Sequence, residues 1–152
     1  FTRDEAYAFL RRVHRRAAGG GLLIGVDLVK PRPVLEAAYD DALGVTAAFN
    51  LNALRHLNAA IGSDFEPRQW RHVAFYDEAA SRIEMHLEAR EPLAVRWPGG
   101  ERDFAAGERI HTENSYKYTI EGFASLLRDA GFRDPEAWTD ENGWFAVFRA
   151  AA

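Results

Sequence analysis

Three consecutive glycines, Gly19–Gly21, stand where the spacing of apolar residues changes from helical to strand-like, and that change constrains the fold more than any other feature. Before them, "TRDEAYAFLRRVHRRA" places Ala6, Phe9, Leu10, Val13 and Ala17 at helical intervals, which predicts a helix with one buried stripe. Thr2 and Glu5 stand at capping-box spacing at its start. Arg11, Arg12, His14, Arg15 and Arg16 fall mostly on its solvated face and last turn, where positive charge suits the helix dipole. After the glycines, "LLIGVDLV" is β-branched and leucine-rich and predicts a strand buried on both faces, as in a parallel sheet. A nucleotide-binding turn runs from strand through glycines into a helix. Here the order is reversed, so the glycines read as the end of a helix.

The rest of the chain can be read the same way. "KPRPVLEAAYDDALGV" predicts a helix from Val34 to Asp41, and "VTAAFNLNALRHLNAAIG" a second one ended by Gly62. From Trp70 to Ile110 the sequence reads as extended segments joined by turns, with a break at Pro98-Gly99-Gly100. "TIEGFASLLRDAG" predicts a helix with Ile120, Phe123, Leu126 and Leu127 inward. Two strands, Arg133 to Thr139 and Trp144 to Ala151, then close the chain around the turn "DENG". This series predicts an α/β fold: the second half of an open sheet, with the middle block inserted near the carboxyl end of the Leu22 to Val26 strand. Such sheets bind ligands at that edge, and Asp27 sits at the tip of that strand. Phe49, Phe75, Phe123, Trp138, Trp144 and Phe148 read as core packing, while Trp70 and Trp97 fit either core or pocket wall. Asn50, Asn52 and Asn58 read as solvent-facing or turn-capping.

With 152 residues, 47% of them apolar, the chain can bury the core of one ordinary domain. A net charge of -4 argues against a nucleic-acid surface, which needs a basic excess or stripe. The lack of cysteine excludes disulfides, thiolate catalysis and cysteine-held zinc, and accords with a reducing cytoplasm. No apolar run approaches the ~18 residues of a membrane span, and no signal-peptide pattern opens the chain, so the expected location is cytoplasmic. The first residue is Phe1 and not Met, which suggests a processed, trimmed or partial chain.

Hydrogen-bonding groups concentrate in "ERIHTENSYKYTIEGF". If Arg109 to Ser115 is extended, His111, Glu113 and Ser115 share a face. Glu113 can accept from a ring N–H and Ser115 supplies a rotatable hydroxyl, a pair that complements an imidazole. The plainer alternative is a strand end in which Glu113 or Ser115 caps the next helix. His72, His86, His111 and Glu113 could converge on a metal, but their spacing matches no tight ligand motif, so no metal is expected.

The segments "LLIGVDLVK", "AAYDDALGVTAAFNLNALR", "RIEMHLEAR" and above all "IHTENSYKYTIEGF" resemble the C-terminal part of the bacterial and fungal histidine Nα-methyltransferases of ergothioneine biosynthesis, over about residues 1–150. The resemblance implies the C-terminal half of a Rossmann-like class I methyltransferase sheet, made by residues 1–30 and 117–152, with residues 31–116 an inserted α+β substrate-recognition region. It implies S-adenosylmethionine as cosubstrate and trimethylation of the α-amine of L-histidine. Glu113 and Ser115 would hold the imidazole, Met85 would line its pocket, and Tyr39 would hold the carboxylate. The resemblance assigns no role to His111, Asn114, Tyr116 and Tyr118, which stay candidates for supporting or structural positions. The implied chemistry is in-line attack of an amine lone pair on a sulfonium methyl, in which positioning does most of the catalysis. The family's glycine-rich cofactor loop, its ribose-binding acid, an asparagine near the amine and a closing helical segment would all lie upstream of Phe1. The expectation is therefore a chain with the last three strands of the sheet, the Leu22 to Val26 strand left as an edge, and most of the cofactor site elsewhere. Its partner would be a missing N-terminal half or a second copy. The alternative is a non-catalytic ligand-binding or interaction module that dimerises through the bare edge.

Overall fold

In the computed structural model, which describes residues 1–152, Thr2 and Glu5 do form a capping box. Thr2 N–H donates to Glu5 Oε2 at 2.7 Å, and Glu5 N–H donates to Thr2 Oγ1 at 3.2 Å. They start α1 (Arg3–Arg16), which is followed by β1 (Gly21–Asp27), α2 (Arg32–Tyr39) and α3 (Val45–Ile61). After a 3₁₀ turn (Pro67–Gln69) come β2 (Trp70–Asp77), β3 (Arg82–Ala89), β4 (Leu93–Trp97), β5 (Gly100–Phe104) and β6 (Arg109–Tyr116). The chain finishes with α4 (Ile120–Asp129), β7 (Arg133–Thr139) and β8 (Phe145–Ala151). The architecture is mixed α/β, and no helix is long and apolar enough to cross a membrane.

The chain forms two compact units. The first comprises Phe1–Pro31, Glu78–Arg82 and Ser115–Ala152. Its sheet has the order β1-β8-β7, and β8 is antiparallel to both neighbours, so β1 and β7 run parallel to each other on either side of it. Ile24 faces Phe148 and Val26 faces Ala146 across the first pairing. One sheet face packs on α1 and α4 through Leu10, Val26, Phe123, Leu127, Phe132 and Phe148. The turn into β8 is built by Asp140, whose Oδ1 accepts from the N–H groups of Trp144 at 2.6 Å and Phe145 at 2.8 Å.

The second unit comprises Arg32–Asp77 and Ile83–Asn114. It contains α2, α3, the β4-β5 hairpin and most of a three-stranded sheet of order β2-β3-β6. Asp41 holds the start of α3 by accepting from the N–H groups of Val45 at 3.0 Å and Thr46 at 2.8 Å. Gly62 ends α3 with φ at 70°, a left-handed conformation that a Cβ would oppose. Two apolar clusters stabilise the unit. One joins Leu54, Trp70, Leu87, Val95 and Phe104, and the other joins Leu35, Tyr76, Ile83 and Met85.

Several expectations need correction. β1 is covered on one face only: Val26 is buried but Leu23 is 70% exposed, because successive side chains alternate and only the α1/α4 side carries a packed layer. α2 starts at Arg32, ahead of Pro33, because proline is tolerated in a first helical turn. Ile120 is exposed, and Phe123 and Leu127 carry the buried face of α4. Among the aromatics, Phe123 and Phe148 are core, whereas Phe49, Trp138 and Trp144 are exposed. Asn50 is buried, not solvent-facing.

Candidate functional site

Glu113 lies on β6 within the second unit and lines a cleft of about 250 Å³ with its neighbour Thr112. The facing wall is α3, through Phe49, Asn50, Asn52 and His56. Phe49 is 68% exposed, which explains why helical spacing alone misread it as core: it presents an aromatic surface to the cleft. A carboxylate beside an exposed aromatic suits a planar ring that carries an N–H donor.

The floor of this region is held by a chain of polar contacts. Asn50 Nδ2 lies 3.0 Å from His72 Nδ1 and donates to the His86 carbonyl at 3.1 Å. His72 Nε2 lies 2.7 Å from the carbonyl of Tyr39. A carbonyl only accepts, so His72 carries its proton on Nε2 and accepts at Nδ1 from Asn50. Both ring nitrogens are thereby used in fixing the end of α2, which places Tyr39. Met85 is buried on β3 with Leu35, Tyr76 and Ile83, and Tyr39 packs against the same cluster. Thr112 Oγ1 donates to the Met85 carbonyl at 2.9 Å, tying Met85 to the strand that carries Glu113. Tyr39, Met85 and Glu113 therefore belong to one connected region of the second unit.

Ser115 belongs to the first unit, where it meets a residue that sequence reasoning missed. Lys117 is 1% exposed, and its Nζ donates to Ser115 Oγ at 2.9 Å and pairs with Asp27 Oδ2 at 2.9 Å. Lys30 Nζ takes the other oxygen of Asp27 at 2.6 Å. Burial pushes the Asp27 carboxyl upward, but the hydrogen bonds from Lys117 and Lys30 outweigh it and hold the group below the usual carboxylate range. The missed signal was the period of two: Glu113, Ser115 and Lys117 alternate along one segment, and Asp27 ends the strand beside it. Tyr118 bonds that strand directly, with its N–H donating to the Asp27 carbonyl at 3.1 Å. Arg82 donates to the Tyr116 hydroxyl at 2.8 Å.

His111 does not join Glu113 through side chains. Its Nε2 lies 3.1 Å from the Glu113 carbonyl, and its ring stacks on His86 at 4.5 Å, which in turn stacks on Phe75 at 5.3 Å. His86 Nε2 donates to Glu84 Oε2 at 2.9 Å. Glu84, His86 and His111 thus bring three ligand-type atoms within 4.8 Å of one another, a grouping different from the one read in the sequence. The two imidazole planes differ by only 20°, so their in-plane lone pairs run side by side and do not converge on a shared ion. Farther along the sheet, Glu88 bonds Arg71 and, at 2.8 Å, Arg109; these two hydrogen bonds hold its carboxyl low. A second cavity in this unit, about 440 Å³ and lined by Arg55, Arg68, Trp70 and Arg90 among others, contains none of the predicted substrate-binding residues, although Trp70, read as core or pocket wall, is part of its lining.

Comparison with known proteins adds to this geometry. A family model described as "Histidine-specific methyltransferase, SAM-dependent" matches residues 1–152. The histidine N-alpha-methyltransferase of Mycolicibacterium smegmatis is 45% identical over 131 residues, covering 85% of this chain and 41% of that protein. Its Mycobacterium tuberculosis counterpart is 42% identical over 135 residues, covering 88% of this chain and 42% of that protein. The ergothioneine biosynthesis protein 1 of Neurospora crassa is 31% identical over 147 residues, covering 93% of this chain and 16% of that protein. The chain spans about two-fifths of the length of the two bacterial relatives.

Proposed function

The chain belongs to the S-adenosylmethionine-dependent histidine-specific methyltransferases, and from that premise we propose that it supplies the amino-acid recognition part of an enzyme that methylates the α-amine of L-histidine in ergothioneine formation. The observation that carries this reading is Glu113, which lies in the "HTENSYKY" motif and lines the cleft faced by Phe49. Glu113 accepts the ring N–H of the substrate, and Ser115 meets the other ring nitrogen. Met85 closes the pocket beside the ring, and the Tyr39 phenol holds the carboxylate. Recognition of this kind rejects ligands that leave the carboxylate unpaired, a penalty of roughly 1–3 kcal/mol or more.

The fold reading follows the same line. Residues 1–30 and 117–152 form the C-terminal half of a class I methyltransferase sheet, and residues 31–116 form its inserted recognition region. The antiparallel β8 between two mutually parallel strands supports this, since it is how a hairpin finishes an otherwise parallel sheet. The residues present do not fit a cradle for S-adenosylmethionine. Gly19–Gly21 lead from α1 into β1, the reverse of a nucleotide turn, and both carboxylate oxygens of Asp27 are engaged by lysines. The cofactor is therefore assigned mainly to residues outside these 152, and the chain's own part is to bind and orient the amino acid.

Calorimetric titration of L-histidine into the chain, with and without S-adenosylhomocysteine, tests the reading. Saturable binding is expected, weakened roughly tenfold or more in Glu113→Ala. Binding that Glu113→Ala leaves unchanged would overturn it. A second reading, a non-catalytic module that pairs through β1, draws on the position of β1 at the end of its sheet and on the exposed Leu23. A dimer in gel filtration combined with no affinity for histidine would favour it.

A further inference from the structure

Carboxylates outnumber arginines in the second unit, and most of those arginines are paired. Arg32, Arg71, Arg96, Arg102 and Arg109 each lie within ion-pair distance of a glutamate. The arginines left without a carboxylate, Arg55, Arg68 and Arg90, all line the cavity of about 440 Å³. None of the residues around that cavity is acidic. Glu66, next to Pro67 in the chain, accepts from the Arg68 backbone N–H at 3.3 Å and not from an arginine side chain. Scattered unpaired arginines on a surface are ordinary. Here a unit with an excess of negative charge gathers all of its unpaired arginines around one concavity, which concentrates positive potential there.

The walls of the cavity are fixed by their own contacts. Ala48, Leu51, Asn52 and Arg55 stand at helical spacing on one face of α3. Asn58 ties the end of that helix to the approach of the 3₁₀ turn, donating to the Phe65 carbonyl at 2.7 Å and accepting from the Phe65 N–H at 2.9 Å. The turn then presents Pro67 and Arg68. Arg90 Nε donates to the Trp70 carbonyl at 3.1 Å, which anchors its guanidinium and leaves the two terminal nitrogens for a ligand. We propose that this cavity binds a small phosphate monoester with an apolar body, its phosphate held by Arg55, Arg68 and Arg90. Such a phosphate has three terminal oxygens and nearly two charges, a better match to three guanidinium groups than the two oxygens and single charge of a carboxylate. Ala48, Leu51 and Pro67 supply the apolar wall, and the volume falls within the roughly 300–1,000 Å³ of small-molecule sites. Asn52 lines both this cavity and the Glu113 cleft, so the two adjoin on α3. The phosphate site does not depend on the recognition role proposed for Glu113.

The test titrates phenyl phosphate, inorganic phosphate and benzoate calorimetrically into the 152-residue chain at low salt. Phenyl phosphate is expected to bind at a single saturable site, at least roughly tenfold more tightly than either of the other two. The gap to inorganic phosphate reads the apolar wall, and the gap to benzoate reads the preference for phosphate. No saturable binding, or equal affinity for phenyl phosphate and benzoate, would overturn the proposal. Arg55→Gln combined with Arg68→Gln is expected to weaken phenyl phosphate roughly tenfold or more. Both side chains are exposed and unpaired, so the melting temperature of this variant should match that of the unaltered chain. Arg12→Gln combined with Arg15→Gln removes the same charge from the exposed face of α1 in the other unit and is expected to leave the affinity unchanged. Equal weakening by the two double variants would mean long-range attraction without a site, and would sink the proposal. Glu113→Ala separates this site from the neighbouring cleft. Phenyl phosphate affinity is expected to survive that substitution whether or not L-histidine binds, and its loss would place the anion in the Glu113 cleft and overturn the assignment.

Discussion

Asn50 joins three segments through a single amide group, and its burial makes each of those contacts hard to lose. Its Nδ2 serves His72 Nδ1 at 3.0 Å and the His86 carbonyl at 3.1 Å, while His72 reaches the Tyr39 carbonyl at 2.7 Å. Truncation to alanine leaves the His72 lone pair and the His86 carbonyl without this donor in a largely buried site. Asn50→Ala is therefore expected to lower the free energy of unfolding by about 1–3 kcal/mol, measured by urea denaturation. A loss below about 0.5 kcal/mol would mean that water or a shifted side chain replaces the amide. Helical spacing could not reveal this residue, because an asparagine on an amphipathic helix scores as surface whatever it bonds to. Phe49 was misread for the opposite reason: an aromatic scores as core, although here it faces a cleft. The residues that line the candidate site are thus the ones for which residue type and burial part company.

Elements were legible wherever a local signal sufficed. The capping box at Thr2, the stop at Gly62 and the closing hairpin each follow from a few adjacent residues. The single-sided burial of β1 does not, because an apolar run reads the same whether one face or both are covered, and only the packing partners decide. The hairpin shows how local the controlling chemistry can be. Asp140 accepts from Asn142 at 3.2 Å, Trp144 at 2.6 Å and Phe145 at 2.8 Å, and these bonds, led by the one from Phe145, hold its carboxyl below the usual range. They fix where β8 begins, and with it the pairing that sets Trp138 opposite Val147. Asp140→Ala is expected to speed amide exchange at Trp144 and Phe145 while leaving the amides of α1 unaffected. Unchanged protection at those two amides would show that the β7–β8 ladder alone sets the turn.

At the scale of the whole molecule, seven carboxylates distributed over both units share one tendency. Glu5, Asp27, Glu36, Asp41, Glu88, Glu108 and Asp140 are all held below their ordinary values. The causes differ in kind. Asp41 and Asp140 are lowered mainly by backbone N–H donors, Asp41 to about 2, whereas arginines dominate at Glu88. A carboxylate depressed in the folded state binds protons more readily when unfolded, so it stabilises the fold fully above its unfolded value. That contribution is lost as pH falls toward the folded value. These groups therefore make the melting temperature level between about pH 7 and pH 5 and falling from about pH 4 downward. Most of them are near the surface, where solvent screens the charge pairs, so the fall is gradual. Added salt should weaken the part due to arginine and lysine and spare the part due to backbone donors, because only the former depends on opposite charges. Thermal unfolding followed by circular dichroism at pH 7, 5, 4 and 3, in low and high salt, measures both effects. Carbon-detected titration of the Asp41 carboxyl supplies the local check, with a midpoint expected at about 2. A midpoint near 4, or a melting temperature unchanged down to pH 3, would mean that these carboxylates decorate the fold and do not hold it.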